Sequence, residues 1–287
     1  MTRGALITGA GGGIGGAVAR RLAADGFGVC LSGRRAEPLD ALAEELGGVA
    51  AVADTGEPTE IEAAVAAAVE RYGRLDALVC SAGAGAPGAV ADQTLERWNR
   101  VIATNLTGAF LACRAALPHL VASRGAVVTI SSLGGLRAAP TSAAYCASKA
   151  GVIMLTQSIA LDYGPHGIRA NCVCPGWIRT EMADAAMESL ADTLGTDRDR
   201  AYGLAVAEVP ARRVGSAEEV AEAVAWLVSP RASYVNGAVI TIDGGAAIVD
   251  AASLAFADAP PPDGGGHTQA QRTEHFDRDT ERGGGGR

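Results

Sequence analysis

The chain has 287 residues, 48% of them hydrophobic but only 4% aromatic, and a formal net charge of −8 from 32 acidic and 24 basic residues. That length accommodates one large α/β domain with a sizeable core, and an acidic balance with no basic block argues against a nucleic-acid partner. The first apolar run, Ala5-Leu6-Ile7, meets glycine at Gly9 before a signal or spanning segment could form, so a cytoplasmic protein without a membrane partner is expected.

Ala5 to Thr8 reads as a strand, and Gly9-Ala10-Gly11-Gly12-Gly13-Ile14-Gly15-Gly16 separates it from an amphipathic run containing Val18 and Leu22. Glycines at such a junction let backbone N–H groups approach a pyrophosphate at the positive end of the helix. Two registers fit. Thr8-Gly9-x-x-x-Gly13-x-Gly15 begins at the strand end, whereas Gly11-x-Gly13-x-x-Gly16 begins two residues late. The first is preferred because the tight turn must follow the strand directly, and it places Gly9, Gly13, Ile14 and Gly15 at a cofactor.

The second strand, Gly28 to Ser32, ends at Gly33-Arg34-Arg35. Sheets selective for NAD carry an acidic residue about 20 positions beyond the glycine turn to take the ribose hydroxyls; here that place is Gly33. The guanidinium of Arg34, with Arg35, suits a 2′-phosphate through paired charge-assisted hydrogen bonds. NADP(H) is therefore predicted over NAD(H); in the plainer reading the two arginines only begin a solvated helix.

Val49 to Ala53 is a third strand ending at Asp54-Thr55, and Ile61 to Tyr72 a helix with Ile61, Val65 and Val69 on one face. The fourth strand, Ala77 to Cys80, leads into Ser81-Ala82-Gly83, small enough for close backbone approach to a ligand. A long helix from about Glu96 to Leu120 follows, with Trp98, Val101, Leu106, Phe110 and Leu117 as its apolar face. Asn105 lies inside it, where poor helix propensity points to a local task.

Val127-Val128-Thr129-Ile130 is a buried strand closed by Ser131 and Ser132, at the carboxyl end where α/β folds place ligands. Tyr145-Cys146-Ala147-Ser148-Lys149 opens a helix continued by Val152, Leu155 and Ile159. Tyr145 and Lys149, four apart, share one helix face, and a neighbouring ammonium is expected to favour phenolate over phenol. A hydroxyl, a phenol and an ammonium would then converge.

These patterns coincide. Thr8-Gly9-x-x-x-Gly13-x-Gly15, with Ser132 thirteen residues before Tyr145 and Lys149 four after it, resembles the short-chain dehydrogenase/reductase family over roughly residues 3 to 250. The resemblance implies a Rossmann-type, doubly wound, three-layer αβα fold with a seven-stranded parallel sheet in a single domain, 1 to 250. It assigns proton transfer to Ser132, Tyr145 and Lys149, with Asn105 holding a water that links Lys149 to solvent. It places Asp54 at the adenine edge, and the Ile178 backbone and Thr180 hydroxyl at the carboxamide, in a loop set by Pro175 and Gly176. It also implies a homotetramer or homodimer built on the long helices near Phe110 and Leu155. One departure stands out: Cys80 and Ser81 replace the two asparagines of relatives, whose side chains steady that turn.

Ala170 to Cys174 is a further strand, and residues 181 to 208, with Met182, Met187, Leu190 and Leu194, read as an amphipathic lid. Leu133, Gly135, Trp177, Met182 and Met187 are the expected lining of an apolar substrate pocket. Glu218 to Leu227 is a helix and Val239 to Ile242 the last strand. From 251 to 287, Pro260-Pro261-Pro262 and repeated glycines among polar residues predict a flexible tail, with Ser253 to Phe256 a patch for docking on a neighbouring subunit.

The six cysteines and the four histidines, His119, His166, His267 and His275, show no ligand spacing, so buried thiols and no metal are expected. A Gly-x-Ser-x-Gly elbow is absent, which removes a hydrolase reading. The expected activity is reversible reduction of a ketone to a secondary alcohol with NADP(H). An NAD-dependent secondary-alcohol dehydrogenase is the alternative. A non-catalytic NAD(P)H-binding sensor is the reading of another class, and the retained Tyr145 and Lys149 weigh against it.

Overall fold

The computed structural model describes residues 2 to 250 and 252. Met1–Ala247 make up one compact unit, and Ile248–Arg287 fall in a second. The expected tail, 251 to 287, with its Ser253 to Phe256 patch, lies outside the described residues apart from Ala252.

Strands and helices alternate through the first unit: β1 (Arg3–Thr8), α1 (Gly13–Ala24), β2 (Phe27–Gly33), α2 (Ala36–Leu46), β3 (Val49–Val52), α3 (Pro58–Tyr72), β4 (Ala77–Cys80), α4 (Leu95–Ile102), α5 (Gly108–Ser123), β5 (Ala126–Ile130), α6 (Ala143–Tyr163), β6 (Arg169–Pro175), α7 (Glu181–Leu194), α8 (Arg198–Ala205), α9 (Ala217–Val228) and β7 (Val239–Ile242). All seven strands are parallel, in the order β3-β2-β1-β4-β5-β6-β7. The Rossmann-type seven-stranded sheet expected from the sequence is the one the chain forms. Its order reverses between β1 and β4, and the loops at the carboxyl ends there open a crevice.

The near-continuous apolar runs follow from burial on both faces of the sheet. Ala5, Ile7, Val29, Leu31, Val79 and Val128 pack against α1, α2 and α9, with Val18, Leu22, Leu39 and Val224 in that core. Leu6, Cys30, Leu78 and Val127 face the other way, onto α3, α5 and α6 through Ile61, Val65, Leu117 and Val152.

Three local differences from the expectation have identifiable causes. Helix α3 begins at Pro58, three residues earlier than Ile61, because proline is pre-shaped for the first helical turn. The long helix is not continuous: Ala103–Thr107 forms a π turn between α4 and α5. Phe110, placed on the apolar face by periodicity, is 46% exposed because that turn shifts the helical phase before it. By length and composition alone, Leu95–Ser123 is apolar enough to cross a membrane, but half of that window is buried in the fold.

Candidate active site

The cleft at the carboxyl edge of the sheet has a volume of about 1280 Å³ and begins at the glycine turn. Gly9 directly follows β1 with φ 68°, and a Cβ there would lie 2.7 Å from Ala82. A Cβ on Gly15 would run into the Gly9 carbonyl. Both positions therefore demand glycine, and helix α1, starting at Gly13, points its amino end at the cleft with no acidic residue in its first turn. The strand-end register is the one whose first glycine, Gly9, directly follows the strand. Gly9, Gly13, Ile14 and Gly15 all line the cleft, as do Arg34 and Arg35 at the end of β2. Arg35 donates to the Gly11 carbonyl at 3.2 Å and to Glu181 at 3.0 Å, while the Arg34 guanidinium has no partner among the described residues.

The turn after β4 is steadied without asparagines. Thr8 Oγ1 accepts from the Ala82 N–H at 3.4 Å, and Asn105 Oδ1 accepts from the Ala84 N–H at 2.7 Å. Ala82 and Gly83 line the cleft. Asp54 does not: Ala53 and Thr55 form the wall there, and the Asp54 carboxylate accepts from the Gly56 N–H at 2.9 Å, capping its own turn.

Strand β5 and helix α6 bring Ser132, Tyr145 and Lys149 together in the same cleft. Ser132 Oγ accepts from the Gly134 N–H at 3.0 Å. Lys149 is 4% exposed, donates to the Ile130 carbonyl at 2.8 Å, and lies 5.7 Å from the Tyr145 ring centre. Burial pushes the Lys149 ammonium down to about 8. Burial also raises the Tyr145 phenol above its usual value, with the hydrogen bond from Ser132 acting the other way. Where the sequence reading looked to a neighbouring ammonium to favour phenolate, burial of the ring acts in the opposite direction.

Asn105, 2% exposed in the π turn, donates to the Ala84 carbonyl at 3.0 Å and to Ser148 Oγ at 2.9 Å. Ser148 in turn donates to the Tyr145 carbonyl at 2.7 Å. Ser148 and Ala84, which spacing did not single out, thus tie the helix of Tyr145 to the turn after β4. Their signal was available only as a buried serine one position before Lys149.

At the far end, Leu133, Trp177 and Met182 line the cleft, as do Pro175, Gly176, Ile178 and Thr180. Thr180 caps α7 by accepting from the Ala183 N–H at 3.2 Å. Two expected pocket residues are elsewhere. Met187, 2% exposed, fills a separate small core of the lid with Ala191, Ala201 and Tyr202, because it sits on the face of α7 turned toward α8. Gly135 packs behind the site, where a Cβ would lie 2.6 Å from Ser131 Oγ and 2.8 Å from the Lys149 carbonyl. Gly134 takes the lining position instead, against the Tyr145 ring.

Comparison with known proteins agrees with this geometry. The family model described as Enoyl-(Acyl carrier protein) reductase matches residues 9–247. The 2-(R)-hydroxypropyl-CoM dehydrogenase of Xanthobacter autotrophicus is 38% identical over 257 residues, covering 85% of this chain and 98% of that protein. The chain is a short-chain dehydrogenase/reductase. A putative ketoacyl reductase of Streptomyces coelicolor is 39% identical over 249 residues, 84% of this chain and 95% of the relative. Among solved structures, the actinorhodin polyketide ketoreductase with NADPH superposes with a TM-score of 0.83 at 37% identity, covering 86% of this chain and 98% of the other. As a member of this family, the chain is an NAD(P)-dependent oxidoreductase acting between an alcohol and a carbonyl. Its glycine cradle, the uncapped amino end of α1 and the unpaired Arg34 fit a phosphorylated dinucleotide.

Proposed function

We propose that this short-chain dehydrogenase/reductase reduces a ketone to a secondary alcohol, reversibly, with NADP(H). The observation that carries the reading is the meeting of Ser132, Tyr145 and Lys149 in the cleft that starts at the glycine turn and Arg34. NADP(H) is favoured because Gly33 stands where an acidic residue would repel a 2′-phosphate, and Arg34, without a side-chain partner among the described residues, can pair with one. Gly9, Gly13, Ile14, Gly15, Ala82 and Gly83 would receive the dinucleotide's backbone-facing side, and Ile178 and Thr180 its carboxamide. When bound, it supplies or accepts the hydride.

The chain's own residues manage the proton. Ser132 donates a hydrogen bond to the substrate oxygen, and Tyr145, kept as a neutral phenol by burial, passes that oxygen its proton. Lys149 stabilises the phenolate left behind. The Asn105 side chain already makes three hydrogen bonds, so its support for the proton path falls to its backbone carbonyl or to the one remaining lone pair of Oδ1. Trp177, Met182 and Leu133 wall the substrate, and residues 181 to 208 act as its lid.

The functional unit is residues 1 to 250, supported by the division of the chain after Ala247. A cytoplasmic location is supported by five buried free cysteines, Cys30, Cys80, Cys113, Cys172 and Cys174, which suit a reducing compartment. The test is consumption of NADPH with a panel of cyclic and aryl ketones, using wild type, Tyr145→Phe and Arg34→Ala. Tyr145→Phe is expected to lower turnover by about 10²–10⁴, the usual worth of a positioned acid. Arg34→Ala is expected to abolish an NADPH preference over NADH of at least about tenfold, equivalent to ~1.4 kcal/mol. Full turnover by Tyr145→Phe would falsify the mechanism; equal binding of NADH by wild type would reverse the cofactor preference.

A further inference from the structure

One cation in the cleft is left over by this chemistry. Of the basic side chains that line the cleft, Lys149 is held by the Ile130 carbonyl, Arg35 by Glu181 and Gly11, and Arg213 by both oxygens of Glu219 at 2.8 and 2.5 Å. Arg34 and Arg137 have no side-chain partner among the described residues. Arg34 directly follows β2 and Arg137 comes after β5, strands that lie three positions apart in the sheet, a spacing of roughly 14 Å.

Arg137 is placed by the same turn that presents Ser132. Its N–H donates to the Leu133 carbonyl at 3.0 Å, one residue after the serine that caps the turn. The loop that follows is pinned: the Gly88 N–H donates to the Thr141 carbonyl at 2.8 Å, and Ser142 Oγ to the Pro140 carbonyl at 3.0 Å. Thr141 is held at φ 51°, a left-handed conformation that a β-branched residue adopts only where its surroundings impose it. The same cleft is lined by apolar groups, among them Met182, Leu190 and Val206. A guanidinium without a carboxylate thus stands on a fixed loop at the rim of an apolar chamber, close in sequence to the serine assigned to the reacting oxygen.

We infer that Arg137 anchors an anionic group of the substrate, and that the natural substrate is a ketone or secondary alcohol with an apolar body carrying a carboxylate or comparable oxyanion. This rests on the ketone-reductase reading of the cleft. The planar fork of arginine matches a carboxylate with two parallel hydrogen bonds. In a chain of net charge −8, a free cation at the rim also offsets the repulsion an anion meets on approach.

The experiment compares 4-acetylbenzoate with its neutral amide, 4-acetylbenzamide, on the full chain saturated with NADPH for turnover or NADP⁺ for binding by calorimetry. Wild type is expected to favour the acid at least tenfold in binding and in kcat/KM. Arg137→Gln is expected to bring that ratio near one, and Arg137→Glu to reverse it in favour of 4-acetylbenzylamine. A ratio near one in wild type, a ratio unchanged in Arg137→Gln, or a loss seen equally in NADPH affinity overturns the assignment. If neither ketone is reduced but the acid still binds more tightly through Arg137, the anion site stands and the reductase reading falls.

Discussion

Lys149 is the only lysine in the sequence, which otherwise carries its permanent positive charge on arginine. Arginine stays charged under all ordinary conditions, whereas a buried amine loses its proton readily, so this is the one Lys or Arg side chain whose charge burial can tune. Selective ¹³Cε-lysine labelling should therefore give one side-chain resonance, titrating near pH 8. The sign of the stability effect follows from linkage. With the folded-state value depressed from 10.5 to about 8, the unfolded chain holds the proton more tightly, so folding is penalised below pH 8 and the penalty disappears as pH rises to 10.5. Lys149→Met should consequently be more stable than wild type at pH 7, by about 2–4 kcal/mol, and no more stable above pH 10.5. Urea unfolding of both proteins across that range measures the difference, and a variant less stable at pH 7 would refute it. Activity should be lost in the same variant, the pattern expected where a functional group is held at a cost to the fold.

At the scale of elements, the π turn Ala103–Thr107 does what a regular helix could not. It buries Asn105 where its amide can clamp Ala84 on one side and Ser148 on the other, joining α5, α6 and the turn after β4. Asn105→Ala should leave the Ala84 N–H and carbonyl and the Ser148 hydroxyl short of partners. At about 1–3 kcal/mol for each buried group left unsatisfied, partly relieved by water, a loss of roughly 2–4 kcal/mol in chemical denaturation is expected. Helix α9 offers a simpler case. Ser216 and Glu219 form a reciprocal capping box, and Arg213 grips the same glutamate. Ser216→Ala should cost about 1 kcal/mol, as N-cap losses do, without changing NADPH affinity, since Ser216 does not line the cleft. The capping box at Ser216 was not singled out in the sequence, whereas the glycine turn was readable there, because it is a local arrangement satisfied within a few residues. The π turn was not: a five-residue shift in hydrogen bonding leaves no periodic trace in a stretch whose apolar residues still recur.

For the whole molecule, the exposed side chains on α5 and α6 are the most informative. Phe110 is 46% exposed, Met154 61% and Leu161 78%, an apolar set on two neighbouring helices of one layer. Association of two copies through this face, as the family resemblance implies, would cover them. Light scattering of purified protein should then give a dimer or tetramer mass, and Phe110→Glu should shift it toward monomer. A wild-type monomer at micromolar concentration would remove the proposal.

The sequence by itself determined the alternation of strands and helices and the placing of the glycine turn directly after the first strand, since each depends on contacts along the chain or on a strand simply ending. Ser132, Tyr145 and Lys149 were legible because a strand end and one helix face carry them. Tertiary structure alone decided the rest. Met187 turned from the pocket to the lid's own core, Asp54 turned to its own loop, and Gly135 turned to the back of Lys149. It also decided the direction in which burial moves Tyr145 and Lys149, and that the Arg137 side chain has no partner among the described residues. Such properties depend on what lies across the cleft from a residue, and residues distant in the chain supply it.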